Sequence, residues 1–246
     1  MADDSIWLGS DGPTFDAAWL ATLTVSDVQR LFDLCRTDQA ARDLLPLSEQ
    51  LCTVIHEFGT QLSRLGFATP GEYFVHRLRD SDASAVRLVA HLVHDFPVTF
   101  NDSYTVDRAP GVVCFYKKAQ LVVSEVYMRF AATELSQVTD IDGLTAFVDN
   151  VVVAMMRMTG ILTVEDALAS QINREEPIAK GSEAEIALRA KALDAVEQVV
   201  ARVNAAKRQP PVLNAQRLCN WLWGCLGKAP GNRQFPRHLT PSAFFY

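Results

Sequence analysis

Between Leu47 and Leu65, apolar side chains recur at the spacing of one helix face: Leu47, Leu51, Val54, Ile55, Phe58, Leu62 and Leu65, with Gly66 placed as a stop. Such a stripe must be buried against other elements, so the chain has to build its core from packed helices. The same period returns elsewhere. Thr24 followed by Asp27 forms a capping-box pattern before a helix whose apolar face is Val28, Leu31, Phe32 and Cys35. Leu88, Leu92, Val93 and Phe96 predict a helix ending near Pro97, and helical patterns run over Ala119–Phe130 and Asp142–Met158, the latter closed by Gly160. Thr163 with Asp166 opens a short helix and Ser182 with Glu185 a long one reaching about Lys207. Asn214 caps a Trp-rich helix that stops at Gly227.

Residues 98–116 break the period. Val98, Phe100, Tyr104 and Val106, then the Pro110-Gly111 turn, then Val112, Val113, Phe115 and Tyr116 predict a short β-hairpin or extended loop. The expected class is mainly α: a single helical domain of about eight or nine helices with one short β-hairpin. Residues 1–20, broken by Gly9, Gly12 and Pro13, are expected to be an irregular segment ahead of a domain over 21–246. The aromatic stretch from Pro230 to Tyr246 is expected to dock on the body.

Charge and cysteine usage narrow the function. A net charge of −6 disfavours a large polyanionic partner, whereas a few local cations suffice for one small phosphate ligand. No direct contact with nucleic acid is therefore expected. The five cysteines, Cys35, Cys52, Cys114, Cys219 and Cys225, form no CxxC pair, which points to reduced thiols rather than disulfides or zinc. His91 and His94 are spaced i,i+3, but no third ligand accompanies them, so no metal is expected. The acidic start, Met1 to Gly12, does not resemble a signal peptide, and the longest apolar run, Val151–Met156, is too short to span a membrane. The expected location is cytoplasmic.

Three ordered segments carry a resemblance. The first is Phe100-Asn101-Asp102, then Tyr116-Lys117-Lys118-Ala119-Gln120, an apolar run and Glu125. The second is Asp140-Ile141, Leu144-Thr145 and Phe147-Val148-Asp149. The third is Gly181-Ser182, Glu185 and Arg189, then Asn214, Leu222-Trp223, Pro236, His238 and the aromatics Phe244, Phe245 and Tyr246; Pro46-Leu47-x-Glu49 matches upstream. Together they resemble the queuosine 5'-phosphate N-glycosylase/hydrolase family, from about Leu20 to Tyr246. The chain departs from that pattern in lacking the family's N-terminal portion with its Asn-Phe-x-Phe-Trp block. Asn150-Val151 stand where the family has Tyr-Arg, and Cys219 and Gly224 where it has aspartates.

The resemblance implies a DNA-glycosylase-like helical fold. It also implies hydrolysis of queuosine 5'-phosphate to queuine and ribose 5-phosphate, without a cofactor. Cleaving an N-glycosidic bond builds an oxocarbenium-like charge on the ribose, which a nearby carboxylate stabilises. Asp149 is the first expected carboxylate. Asp102 is the second, with a loop-capping role as its alternative, and Cys219, at an expected family aspartate, is either a nucleophile or a small buried residue. Lys117 or Lys118 is expected to meet a phosphate or a carboxylate, with two solvated side chains as the bland alternative. Phe147 either stacks on the base or packs in the core. Val148, Asn214 and Trp223 complete the expected substrate contacts, and His238 orients a substrate group or pins the tail. The competing expectation is a non-catalytic relative that binds a nucleotide or a protein partner of unknown identity, having lost catalytic carboxylates at Cys219 and Gly224.

Overall fold

The computed structural model describes residues 15–106, 111–130, 133, 137–206 and 213–241. The chain divides into two units, Met1–Asp80 and Ser81–Tyr246. In the first, the described helices are α1 (Ala17–Thr22), α2 (Val25–Leu31), α3 (Asp38–Asp43), α4 (Leu45–Leu65) and α5 (Pro70–Asp80). The long apolar stripe forms α4, and Gly66 ends it in the left-handed conformation (φ 82°), its N–H donating to the Ser63 carbonyl. Helix α1 packs against α4 at Gly59, where a Cβ would lie 2.3 Å from the Ala21 nitrogen. Helix α2 has the expected capping box: Asp27 N–H donates to Thr24 Oγ1 at 3.2 Å, and Thr24 N–H to Asp27 Oδ2 at 2.8 Å.

Three local expectations are corrected in this unit. Residues 17–20 are helical, because Asp16 caps α1 by accepting from Trp19 N–H at 2.7 Å; residues 1–14 lie outside the described residues. Helix α2 stops at Leu31, which leaves Phe32 and Cys35 off its apolar face and exposed. Helices α3 and α5 had no predicted counterpart.

In the second unit, Ser84 caps α6 (Ala85–Asp95). Val98 and Phe100, assigned to the hairpin from their pattern, instead form the single helical turn α7 (Pro97–Phe100), for which Pro97 is pre-set at the first position. The hairpin is confined to β1 (Ser103–Thr105) and β2 (Val112–Cys114), antiparallel, with Tyr104 opposite Val113; Pro110 lies outside the described residues. Helix α8 (Lys117–Arg129) follows directly.

The largest correction concerns 142–158. A 3-10 turn at Ile141–Gly143 leads into an extended segment, and α9 spans only Asn150–Met158. The Gln120 side chain explains it. Its Oε1 accepts from Thr145 N–H at 2.7 Å, while its Nε2 donates to the Phe115 carbonyl at 2.8 Å and Thr145 Oγ1 at 3.0 Å. The Thr145 backbone donor is thus committed to α8 and not to a helix of its own.

Helix α10 (Asp166–Asn173) starts after Glu165, not at Thr163, and α11 (Glu183–Ala206) opens with Ser182 accepting from Glu185 N–H; Lys207 lies outside the described residues. Asn214 caps α12 (Ala215–Trp221) as expected, accepting from Arg217 N–H at 2.8 Å. The helix then widens into a π-helical turn, Leu222–Leu226. Val151 through Met156 are all buried, packed in one cluster with Leu188, Ala192 and Val196 of α11 and with Cys219 and Leu222. The tail docks in part through backbone: Ile178 N–H donates to the Leu239 carbonyl at 2.7 Å, and Arg157 to the Pro236 carbonyl at 3.3 Å. Phe244, Phe245 and Tyr246 lie outside the described residues. Among the described residues the class is mainly helical with one two-stranded sheet, and no helix is long and apolar enough to cross a membrane.

Candidate functional site

Two chain segments converge at the N-terminal ends of α8 and α9. Tyr116, held in the left-handed region (φ 47°), turns the chain from the hairpin into α8, so Lys117 is the first residue of that helix. The extended segment ends at Asp149, the N-cap of α9. Its Oδ1 accepts from Val151 N–H at 2.9 Å and Val152 N–H at 3.1 Å; its Oδ2 accepts from Lys117 Nζ at 3.1 Å. Both side chains are almost out of solvent, 10% exposed for Lys117 and 6% for Asp149. Three donors and the positive end of α9 hold the carboxylate in one orientation. The sequence pattern put Asp149 within a helix; as an N-cap it points both oxygens at donors instead.

A single buried guanidinium braces both segments. Arg189 of α11 donates through Nε to the Val148 carbonyl at 3.3 Å, next to Asp149. Its face lies over the Phe115 ring, 3.9 Å from guanidinium carbon to ring centroid, two residues before Lys117. Two ion pairs anchor it: one with Asp102, to both carboxylate oxygens, and one with Glu185 at 3.2 Å. All three ionic side chains are essentially fully buried.

The pair opens onto a cavity of about 560 Å³. Lys117, Leu121 and Glu125 line it from α8; Phe147, Asp149, Asn150 and Val151 from the α9 entrance; and Cys219, Asn220 and Trp223 from α12 and its π-helical turn. Lys228 sits over the Trp223 ring, 4.2 Å from its centroid. The Cys219 thiol is buried and donates to the Phe147 carbonyl at 3.6 Å; burial first, then the negative charge of Asp149, pushes it up to about 12, so it stays a neutral thiol near pH 7.

The structure therefore gathers Lys117, Phe147, Asp149, Cys219 and Trp223 in one cavity lining. The remaining expected residues lie elsewhere. Asp102 is spent on the Arg189 brace, and Val148 turns a buried side chain inward while its carbonyl serves the same brace. Lys118 is half-buried; burial and the neighbouring Lys117 charge lower it to about 8. Asn214 caps α12 and donates to Asp142 on a separate cavity of about 610 Å³ lined by Thr145, Glu197 and Arg217. His238 is buried, lowered to about 4 chiefly by that burial, and its carbonyl accepts from Asn150 Nδ2 at 3.3 Å. Sequence reasoning gave no site role to Leu121, Glu125, Asn150, Val151 and Asn220, all of which line the cavity. The spacing of Lys117, Leu121 and Glu125 along one side of a helix was the available signal for the first two. Among the described residues, no group of three or more His, Cys, Asp and Glu side chains is arranged to hold a metal ion.

The sequence matches the family described as "Queuosine salvage protein" over residues 6–246. It is 31% identical over 237 residues to the queuosine 5'-phosphate N-glycosylase/hydrolase of Sphaerobacter thermophilus, covering 95% of this chain and 67% of that protein. The proteins of the same name from Nematostella vectensis and Mus musculus are 23% and 24% identical, with 66% and 60% of their lengths covered. The chain thus spans about two thirds of these relatives. A match from residue 6 to the last residue leaves one assignment: the chain belongs to the queuosine salvage protein family.

Proposed function

We propose that this chain hydrolyses the N-glycosidic bond of queuosine 5'-phosphate, releasing queuine for tRNA modification. The observation that carries the reading is Asp149: an almost buried carboxylate, fixed by three donors, facing a cavity large enough for a nucleotide base. In the reaction, the bond between the ribose anomeric carbon and the base nitrogen breaks with its electron pair moving to the base. Water adds its oxygen to the anomeric carbon, and its proton ends on the base. Asp149 opposes the positive charge that develops on the ribose, and no reorganisation is needed because its donors already hold it. Lys117, donating to Asp149 Oδ2 at 3.1 Å, holds the carboxylate in its orientation. Phe147 and Trp223 supply aromatic surface to the base. A 7-deazaguanine lacks the ring nitrogen whose protonation helps guanine leave, so electrostatic stabilisation of the sugar carries more of the barrier. The free cysteines support a reducing, cytoplasmic setting.

A second reading, a non-catalytic binder of the same nucleotide, is favoured by Cys219, a neutral buried thiol where relatives are expected to carry an aspartate. One experiment separates the two. Purified protein in excess over queuosine 5'-phosphate should release queuine, seen by chromatography. Complete recovery of the nucleotide would reject hydrolysis, and a thermal shift with the nucleotide would then establish the binder.

A further inference from the structure

Three charged side chains line the cavity: Lys117, Asp149 and Glu125. Lys117 and Asp149 neutralise one another, and both oxygens of Asp149 are already engaged by donors. The remaining charge of the lining is therefore negative and sits on Glu125. Arg129 binds one of its oxygens at 2.7 Å, but that guanidinium is 77% exposed, so the pair is solvent-screened and easily displaced. Along α8, Lys117 and Glu125 are separated by about 12 Å of helix rise. The cavity thus has a compensated end at the α9 cap and an anionic end at Glu125, with Leu121 between them.

Resting on the reading of this cavity as a deazapurine-nucleotide site, we propose that Glu125 determines specificity by receiving a protonated amine. Queuine carries such a group, a secondary ammonium on the arm attached to carbon 7 of the deazaguanine. Guanine has a nitrogen at that position and can bear no arm, so it offers Glu125 nothing. The same charge orients the ligand, with the ammonium toward Glu125 and the phosphate away from it.

Calorimetric titration of the full chain with queuine and with 7-deazaguanine, which lacks the arm, tests this without requiring turnover. The wild type should bind queuine more tightly than 7-deazaguanine. Glu125→Gln should lose about tenfold in queuine affinity and leave 7-deazaguanine within about twofold, with the melting temperature unchanged. Glu125→Lys should lose more, again for queuine alone. Equal binding of both compounds by the wild type, or equal weakening of both by Glu125→Gln, overturns the role of Glu125 and leaves the cavity reading standing. Binding of neither compound by the wild type overturns both.

Discussion

Removing one member of the Lys117–Asp149 pair strands the other in the interior, and the structure sets how much that costs. Asp149→Asn keeps Oδ1 for the Val151 and Val152 amides, so the α9 cap survives. Its amide nitrogen, however, replaces the oxygen that accepts from Lys117 at 3.1 Å and leaves an ammonium unpaired at 10% exposure. Breaking a buried pair from one side costs about 3–5 kcal/mol. Asp149→Ala loses the cap as well, about 1 kcal/mol more. Lys117→Met removes the cation but leaves Asp149 with two amide donors and a helix N-terminus, so it should cost less than Asp149→Asn. The double variant Lys117→Met/Asp149→Asn buries no unpaired charge and should recover about 2–3 kcal/mol of the summed loss. Denaturant unfolding of the four proteins measures the cycle, and hydrogen exchange at the Val151 and Val152 amides reports the cap separately. Those amides should stay protected in Asp149→Asn and exchange fast in Asp149→Ala. Additivity of the two single changes within about 0.5 kcal/mol would refute the buried-pair argument. Hydrolysis should fall at least about a hundredfold in Asp149→Asn, as expected for removal of a preorganised electrostatic group.

Other positions give independent checks. Arg189→Lys keeps the charge but loses the fork that spans Asp102, Glu185 and the Val148 carbonyl; a loss of about 3–5 kcal/mol is expected, and one below about 1 kcal/mol would rule out the brace. Gly59→Ala forces a methyl into the Ala21 backbone and should destabilise the first unit by about 1–3 kcal/mol or more, measured as a lowered unfolding midpoint. Iodoacetamide at pH 7.5 should label the exposed Cys35, Cys114 and Cys225 in the native protein and spare Cys219, and Cys219→Ala should retain any hydrolysis; labelling of Cys219 at the rate of the exposed thiols would contradict its burial and raised pKa. His238 is held neutral in the fold, down to about 4 from 6.5, so the unfolded chain binds its proton first. Stability is then complete above pH 6.5 and declines as pH falls toward 4, by roughly 3 kcal/mol at the limit. The stability difference between wild type and His238→Asn should shrink across that window, and a constant difference would exclude the linkage.

The helices whose signals are local were legible in the chain. Leu47 to Leu65 with Gly66, the Thr24–Asp27 box and the Asn214 cap each depend on residues within a few positions of one another, and each formed where the pattern placed it. Of the residues the family motifs proposed, Lys117, Phe147, Asp149, Cys219 and Trp223 line one cavity. Illegible were the features decided by partners far along the chain. The apolar spacing of Leu144, Phe147, Val148, Val151 and Val152 fits a helix, yet Gln120, 25 positions from Thr145, claims the backbone donor that a helix there would need. Asp102 looked available for chemistry until Arg189, 87 positions away, occupied both its oxygens. Lys117 and Lys118 are equivalent as letters, but adjacent helical side chains diverge by about 100°, and only the packing of α8 against the α9 cap sends one to Asp149 and leaves the other half-buried. Sequence thus determined which segments coil and which residue types were available. Tertiary structure decided which of them meet, because a buried polar group must find its partner wherever the fold brings one.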